Sequence, residues 1–303
     1  MPQRHTGART PTPDAVADLA VAALRAEADL APKPGLVDPR DNGAHTDMDH
    51  ALLVRSADAL RGAFAHCARL AVELPLGPEL RARIGAAGRA GERQMLQVTG
   101  GVNTHRGALW AVGLLAAGAA RRHGIGDAVR FAAGLARLPD SAVPPAQGTS
   151  HGAGAGRRYG APGARGEAAA GFPHVTGHAL PMLRRARARG ADETSARLDA
   201  LLSVMAHLPD TCVLHRGGPA GLAIIQRGAA DVLAVGGTAD PAGRRRLSEL
   251  DALALSRRLS PGGSADLLAA ALFLDSLPAA PKTPPAVKGH TRSHADTRLP
   301  FPR

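Results

Sequence analysis

The sequence predicts an all-α protein: a single multi-helix domain with its functional site built from interhelical turns. Three observations carry this reading. Apolar residues recur at helical spacing in segment after segment. Apolar content is 45% while aromatics are only 2%, so the core is made of Ala, Leu and Val, small side chains that favour closely packed helices. No strand-type alternation stands out. The folded domain is placed at 12–277. A flexible arm, 1–11, precedes it, and a Pro-, Lys-, Arg- and His-rich basic tail, 278–303, has too little to bury to be ordered.

The first helix is expected from Thr12-Pro13-Asp14, where a capping hydroxyl is followed by proline at the first helical position and an acid near the positive helix end. It runs to about Ala31, where Pro32 and Pro34 stop it. Val16, Ala20, Ala23 and Glu27 share one stripe, so Glu27 lies on the buried face. A buried carboxylate needs a partner: a core arginine would make it structural, a metal or a reacting group would make it functional. The next helix opens at Thr46-Asp47-Met48-Asp49, read as a Thr46 cap with an acidic capping box. It buries Leu53, Leu60, Phe64, Cys67 and Ala71 and ends near Leu74. A third helix, Glu79 to about Val98, buries Leu80, Ile84, Ala87, Gly91 and Met95, with Glu92 near that face as a second candidate buried acid. An apolar helix follows from Ala108 to about Arg122. Later helices are expected at 194–208, from Gly218 to about Val235, and after Ser264, read as the last cap.

The turns between these helices carry the chemistry. Glu27 to Asp49 contains six carboxylates, Lys33, Arg40, His45 and three prolines, which makes a stiff platform of charged groups. A single cap does not explain Asp38, Asp41, His45 and Asp47 arriving together. Thr99 to Gly107 is a glycine-flanked turn feeding a helix N-terminus, a natural anion site, with Asn103, Thr104, His105 and Arg106 where a ligand would lie. Residues 140–173 read as a long functional loop, a basic flap carrying His151, Arg157, Arg158, Arg165 and Glu167 that suits a triphosphate. Pro209 to Gly218 again sets an acid, His215 and Arg216 beside paired glycines.

Composition limits the partners. The net charge of +11 implies an anionic one. Seven aromatics give few stacking platforms for single-stranded nucleic acid, and the arginine run 184–189 is better read as a solvated helix face. Cys67 and Cys212 are far apart and read as reduced, cytosolic thiols on apolar faces. The N-terminus has no secretory h-region, and no run of about 18 uncharged apolar residues forms a membrane span. No P-loop or dinucleotide-binding fingerprint is present.

Five ordered motifs, P-K-P-G-L-V-D-x-x-x-N-G-A-H-x-D-M-D, G-V-N-T-H-R-G, R-Y-G-x-x-G-A-R-G-E-A-x-x-G-F-P, D-T-x-V-L-H-R-G-G and S-P-G-G-S-A-D-L-L-A, span roughly 20–277 and resemble the triphosphoribosyl-dephospho-CoA synthase family. The departures are Ala28 and Ala31, where Val and Thr are the family pattern, and Ala153, where some members carry an acid. The resemblance implies a transferase that joins ATP to 3'-dephospho-CoA, releases adenine and makes the prosthetic-group precursor for the acyl-carrier subunit of malonate decarboxylase or citrate lyase. A stand-alone synthase favours malonate decarboxylase. The product would pass to a carrier-protein transferase in the cytoplasm. No nucleic-acid or membrane partner is implied, and a homo-oligomer is compatible with the sequence.

That chemistry suggests roles. Mg²⁺ prefers carboxylates together with phosphate oxygens, which points to Asp38, Asp47 and Asp49. Lys33, Arg106, Arg165 and Arg216 would hold the triphosphate, with His45, Asn103, Glu167 and His215 as further substrate contacts. Glu27 is the first choice for base or oxocarbenium stabiliser, Glu92 the second, and His45 and His105 are candidate donors to phosphate or to the leaving adenine. Two other classes compete: an all-α Mg-dependent N-glycosidic hydrolase and a nucleic-acid-binding helical protein.

Overall fold

The computed structural model describes residues 10–121, 124–142 and 151–278. Among these the protein has thirteen α-helices and no strand, as the apolar spacing predicts. They are α1 (Pro13–Ala28), α2 (His50–Ala59), α3 (Arg61–Glu73), α4 (Pro78–Val98), α5 (Arg106–Arg121), α6 (Ile125–Arg137), α7 (His151–Tyr159), α8 (Gly163–Ala169), α9 (Leu180–Ala188), α10 (Glu193–Met205), α11 (Thr211–Ala234), α12 (Pro241–Ser256) and α13 (Gly262–Asp275). A single π-helical turn, Val175–Ala179, leads into α9. Most of the expected arm (1–9) and tail (279–303) lies outside the described residues, as do 143–150.

Helix α5 is the axis of the fold. It is apolar almost all round, with Ala108 through Ala120 buried apart from Trp110, and such a helix belongs in a core. It packs against α3, α6, α13 and α1. Its small residues set the spacing: a Cβ on Gly118 would lie 2.3 Å from the Ala128 carbonyl oxygen in α6. The terminal helix α13 is equally apolar from Leu267 to Leu274 and ties α1 and α5 to α10. No helix among the described residues is long and apolar enough to cross a membrane.

Several boundaries differ from expectation. Helix α1 ends at Ala28, three residues early: Leu30 N–H reaches back only three residues, to Glu27 O at 3.2 Å, and Ala31, the residue before Pro32, is kept out of the α region. The expected helix 46–74 is two helices. Its cap is Asp49, whose carboxylate accepts from Leu52 N at 2.7 Å, and not Thr46; the break comes at Leu60, whose N–H reaches Ala57 O. The 140–173 loop is largely helical, α7 and α8. Glycine disfavours helix, but here it lets α7 lie close to α11: a Cβ on Gly152 would meet Thr211 Oγ1 at 3.2 Å. His151 opens α7, and its side chain lies outside the described residues. The turn expected at 209–218 is helical from Thr211, kinked at Gly218 (φ 59°) just before Pro219. Finally, Ser264 does not cap α13. It donates through N–H and Oγ to Asp210 Oδ2, at 2.8 and 2.9 Å, while Asp210 also accepts from Cys212 N at 2.9 Å. One buried carboxylate thus serves the N-termini of α11 and α13.

Candidate active site

The stretch after α1 folds back on that helix and closes over Glu27. Two glycines permit the path: Gly35 has φ +66°, and a Cβ there would lie 2.2 Å from Leu259 O; Gly43 has φ +55°. The stripe containing Glu27 is buried as expected. Its partner is not a core arginine but Lys33. The Lys33 ammonium, 1% exposed, donates to Glu27 Oε1 at 2.6 Å and to the Glu27 carbonyl at 2.7 Å. A lysine six residues on reaches the acid because the chain reverses between them.

Asp38 holds this reversal in place. It accepts from Lys33 N at 2.9 Å, from Arg40 N at 2.8 Å and from the Arg40 guanidinium at 3.0 Å. Burial pushes its carboxyl up, but the bonds from Arg40 and Lys33 outweigh that and hold it below the ordinary range. Arg40 also meets Asp251 Oδ2 at 3.3 Å, and Asp251 Oδ1 accepts from Gly35 N at 2.9 Å. The three aspartates expected to share a metal are not gathered. Asp38 is saturated by protein donors, Asp49 caps α2, and Asp47, 61% exposed at its side chain, stands 3.4 Å from His45 Nδ1. Among the described residues no three His, Cys, Asp or Glu side chains form a group able to hold a metal ion. The donor set does not fit an all-protein magnesium cage.

His45 and Arg216 meet. Arg216 Nη1 donates to Ala44 O at 3.0 Å, its guanidinium lies 3.2 Å from His45 Nδ1, and His45 Nε2 is 2.9 Å from Ser260 Oγ. Burial, and then the Arg216 charge, hold the imidazole below its ordinary range, so it is neutral at pH 7. His215 is exposed on α11.

The turn before α5 contributes His105, which is 4% exposed. Its Nδ1 is 2.8 Å from Ser56 Oγ, and Ser56 is 2.5 Å from Thr104 Oγ1. Its Nε2 is buried with no hydrogen-bond partner. Asn103 Oδ1 accepts from Arg106 N at 3.2 Å, a local cap at the start of α5. Arg106 pairs with Glu92 at 2.6 Å, and the Glu92 side chain is 31% exposed; Glu92 is a rim residue and not the buried acid the periodicity suggested. On α8, Arg165 is exposed, while buried Glu167 accepts from His174 N at 2.9 Å and stands 2.7 Å from His174 Nδ1. Glu167 thereby holds the Gly171-Phe172-Pro173 turn, in which Phe172 adopts φ 54°.

Burial, and then the Lys33 charge, push the His105 imidazole down to about 4. The folded state therefore binds this proton less readily than the unfolded chain, and stability is lost as pH falls from about 6.5 towards 4. We expect this group to contribute on the order of 3 kcal/mol to that loss. Urea midpoints measured from pH 7 to 4 should fall less steeply for His105→Gln; equal slopes would remove His105 as the cause.

Sequence reasoning missed Ser56, Asp251 and Asp266, and saw Asp210 only as the acid of the 209–218 turn, not as a cap shared by two helices. Ser56 looked like one more polar position on α2, and Asp251 sits on α12 without any motif. Asp266 was in plain view within S-P-G-G-S-A-D but drew no role. It is partly buried; burial, then Glu27 and Asp210, push its carboxyl well above the ordinary range. Cys67 sits in the core as expected, its thiol pushed up to about 12 by burial. Cys212 stands beside Asp210 and Asp266, not on an apolar face.

One all-α body carries the Glu27 carboxyl on α1 with its buried lysine, the Asp266 carboxyl on α13, and arginines on α5, α8 and α11. These features define the class: an all-α enzyme with its charged groups set on several helices. Residues 13–284 match the model of the CitG family, ATP:dephospho-CoA triphosphoribosyl transferase. The chain is 53% identical over 263 residues to the 2-(5''-triphosphoribosyl)-3'-dephosphocoenzyme-A synthase of Klebsiella pneumoniae, covering 86% of this chain and 93% of that protein. It is 56% identical over 265 residues to the probable synthase of the same name from Azotobacter vinelandii, covering 86% and 90%. No solved structure matches the chain. The protein belongs to the ATP:dephospho-CoA triphosphoribosyl transferase family and is a transferase.

Proposed function

We propose that the enzyme joins ATP to 3'-dephospho-CoA, forming 2'-(5''-triphosphoribosyl)-3'-dephospho-CoA and free adenine. Among the structural observations, the buried Glu27–Lys33 pair next to Asp266 supports the reading best. Transfer requires the 2'-hydroxyl of dephospho-CoA to attack ribose C1' while the bond to adenine N9 breaks, through a state resembling an oxocarbenium ion. A carboxylate fixed in position can take the hydroxyl proton or face the cationic sugar. Glu27 is oriented for this by Lys33, so Lys33 acts through Glu27 and is not free to clamp phosphate.

The triphosphate then falls to Arg106, Arg165 and Arg216, with the neutral imidazoles of His45 and His105 as hydrogen-bonding groups. Magnesium is proposed to enter on the triphosphate; of the three aspartates Asp38 is saturated, while exposed Asp47 and Asp49 keep carboxylate oxygens to meet it. The client is proposed to be the malonate decarboxylase acyl carrier, reached through a carrier-protein transferase in the cytoplasm; citrate lyase is the other client. The homo-oligomer remains a proposal for sedimentation analysis.

Mass spectrometry after mixing the purified protein with ATP, Mg²⁺ and 3'-dephospho-CoA tests the reading. Free adenine and an adduct carrying ribose with all three phosphates are expected. Adenine without the adduct would make the protein a nucleotide hydrolase. A folded protein that releases no adenine would overturn the reading.

A further inference from the structure

Asp266 lies in the second turn of α13 with its carboxyl against the first turn of α5. The approach is close: a Cβ on Gly107 would lie 1.9 Å from Asp266 Oδ2, and the Ala108 N–H donates to the carboxyl. Only glycine at 107 leaves room for it. The titratable groups facing Asp266 are Glu27 from α1, Asp210 at the joint cap of α11 and α13, and the Cys212 thiol. The two carboxyls flanking the site thus have opposite surroundings. Glu27 is clamped by an ammonium at 2.6 Å, whereas the groups that face Asp266 among the described residues are two acids, a thiol and one backbone donor.

A second observation, two residues before Gly107, points to a ligand. Just ahead of Gly107, His105 Nε2 is buried and bonded to nothing, and this ring feels the charge of the lysine that pairs with Glu27. A buried ring nitrogen left without a partner costs free energy unless a bound molecule satisfies it.

We propose that Asp266 is the general acid of the transfer, protonating the departing adenine while Glu27 takes the proton of the attacking hydroxyl. The inference rests on the transferase reading above. The balance is simple. The bond between C1' and N9 breaks with its electron pair going to adenine, and the Asp266 proton neutralises the purine. The 2'-oxygen forms the new bond to C1', and its proton passes to Glu27. One turnover leaves Asp266 as carboxylate and Glu27 as acid, and exchange with water resets both. A carboxyl paired with a cation and a second one set among acids can divide base and acid roles between them.

A substrate whose purine leaves without protonation separates this role from a structural one. N7-methyl-ATP carries a cationic base that departs as a neutral molecule. With the full-length protein and 3'-dephospho-CoA, Asp266→Asn should slow adenine release from ATP by ~10²-fold or more and leave release of 7-methyladenine nearly unchanged. Glu27→Gln should slow both. In the wild type, the rate with ATP should fall as pH rises through the Asp266 ionisation, and this alkaline limb should vanish with N7-methyl-ATP. The limb decides the matter should Asp266→Asn fail to fold. Equal slowing of Asp266→Asn on both substrates, no slowing on either, or an identical alkaline limb for both would overturn the proposal. A wild-type protein that releases purine from neither substrate would overturn the transferase reading itself.

Discussion

Lys33→Met should destabilise the protein by about 3–5 kcal/mol, the usual consequence of removing one partner of a buried ion pair. Methionine fills the space of the lysine stem but cannot donate to Glu27 Oε1 or to the Glu27 carbonyl. The carboxylate is then stranded in the core with no counter-charge and too few donors. Urea denaturation with matched m-values would show the loss as a lower midpoint. The double variant Glu27→Leu, Lys33→Met separates the explanations, because it leaves no charge behind. It should recover most of the loss, as replacing a buried pair with apolar residues often does. A double variant no more stable than Lys33→Met would mean that the lysine stem itself, through its packing, accounts for the effect.

Glu27→Gln should reduce turnover by ~10²-fold or more while the chain still folds and binds ATP. Glutamine keeps a side-chain carbonyl that can accept from Lys33 Nζ, so the geometry around residue 33 survives; what disappears is the capacity to take a proton or face a cationic sugar. The stability loss should be smaller than for Lys33→Met, and ATP affinity by calorimetry should be nearly that of the wild type. Near-normal turnover would reject a catalytic role for Glu27. A variant that folds poorly and regains activity in proportion to its folded fraction would assign the acid to structure alone.

The residues that could be placed from sequence were those governed by near neighbours along the chain. The 3.6-residue period put Val16, Ala20, Ala23 and Glu27 on one face, and all four are buried. The same reasoning placed Leu53, Phe64, Leu80 and Met95 inside. It failed for Glu92, because a position at the edge of a stripe is not resolved by periodicity. It failed again over 151–169, where intrinsic propensity argued against a helix and contacts with α11 and α8 overrode it.

Sequence alone thus determined the all-α architecture, the buried position of Glu27 and the two charged turns before α2 and α5, since each depends on spacing within a few residues. Only the tertiary structure decided which charges meet. It paired Glu27 with Lys33, saturated Asp38 with Arg40, joined the caps of two helices on Asp210 and set Asp266 among acids. These outcomes hinge on chain reversal and on contacts between residues as distant as Gly35 and Asp251. A carboxylate's role follows from whether a cation, a backbone donor or another acid is brought against it, and residue spacing along the chain carries no record of that.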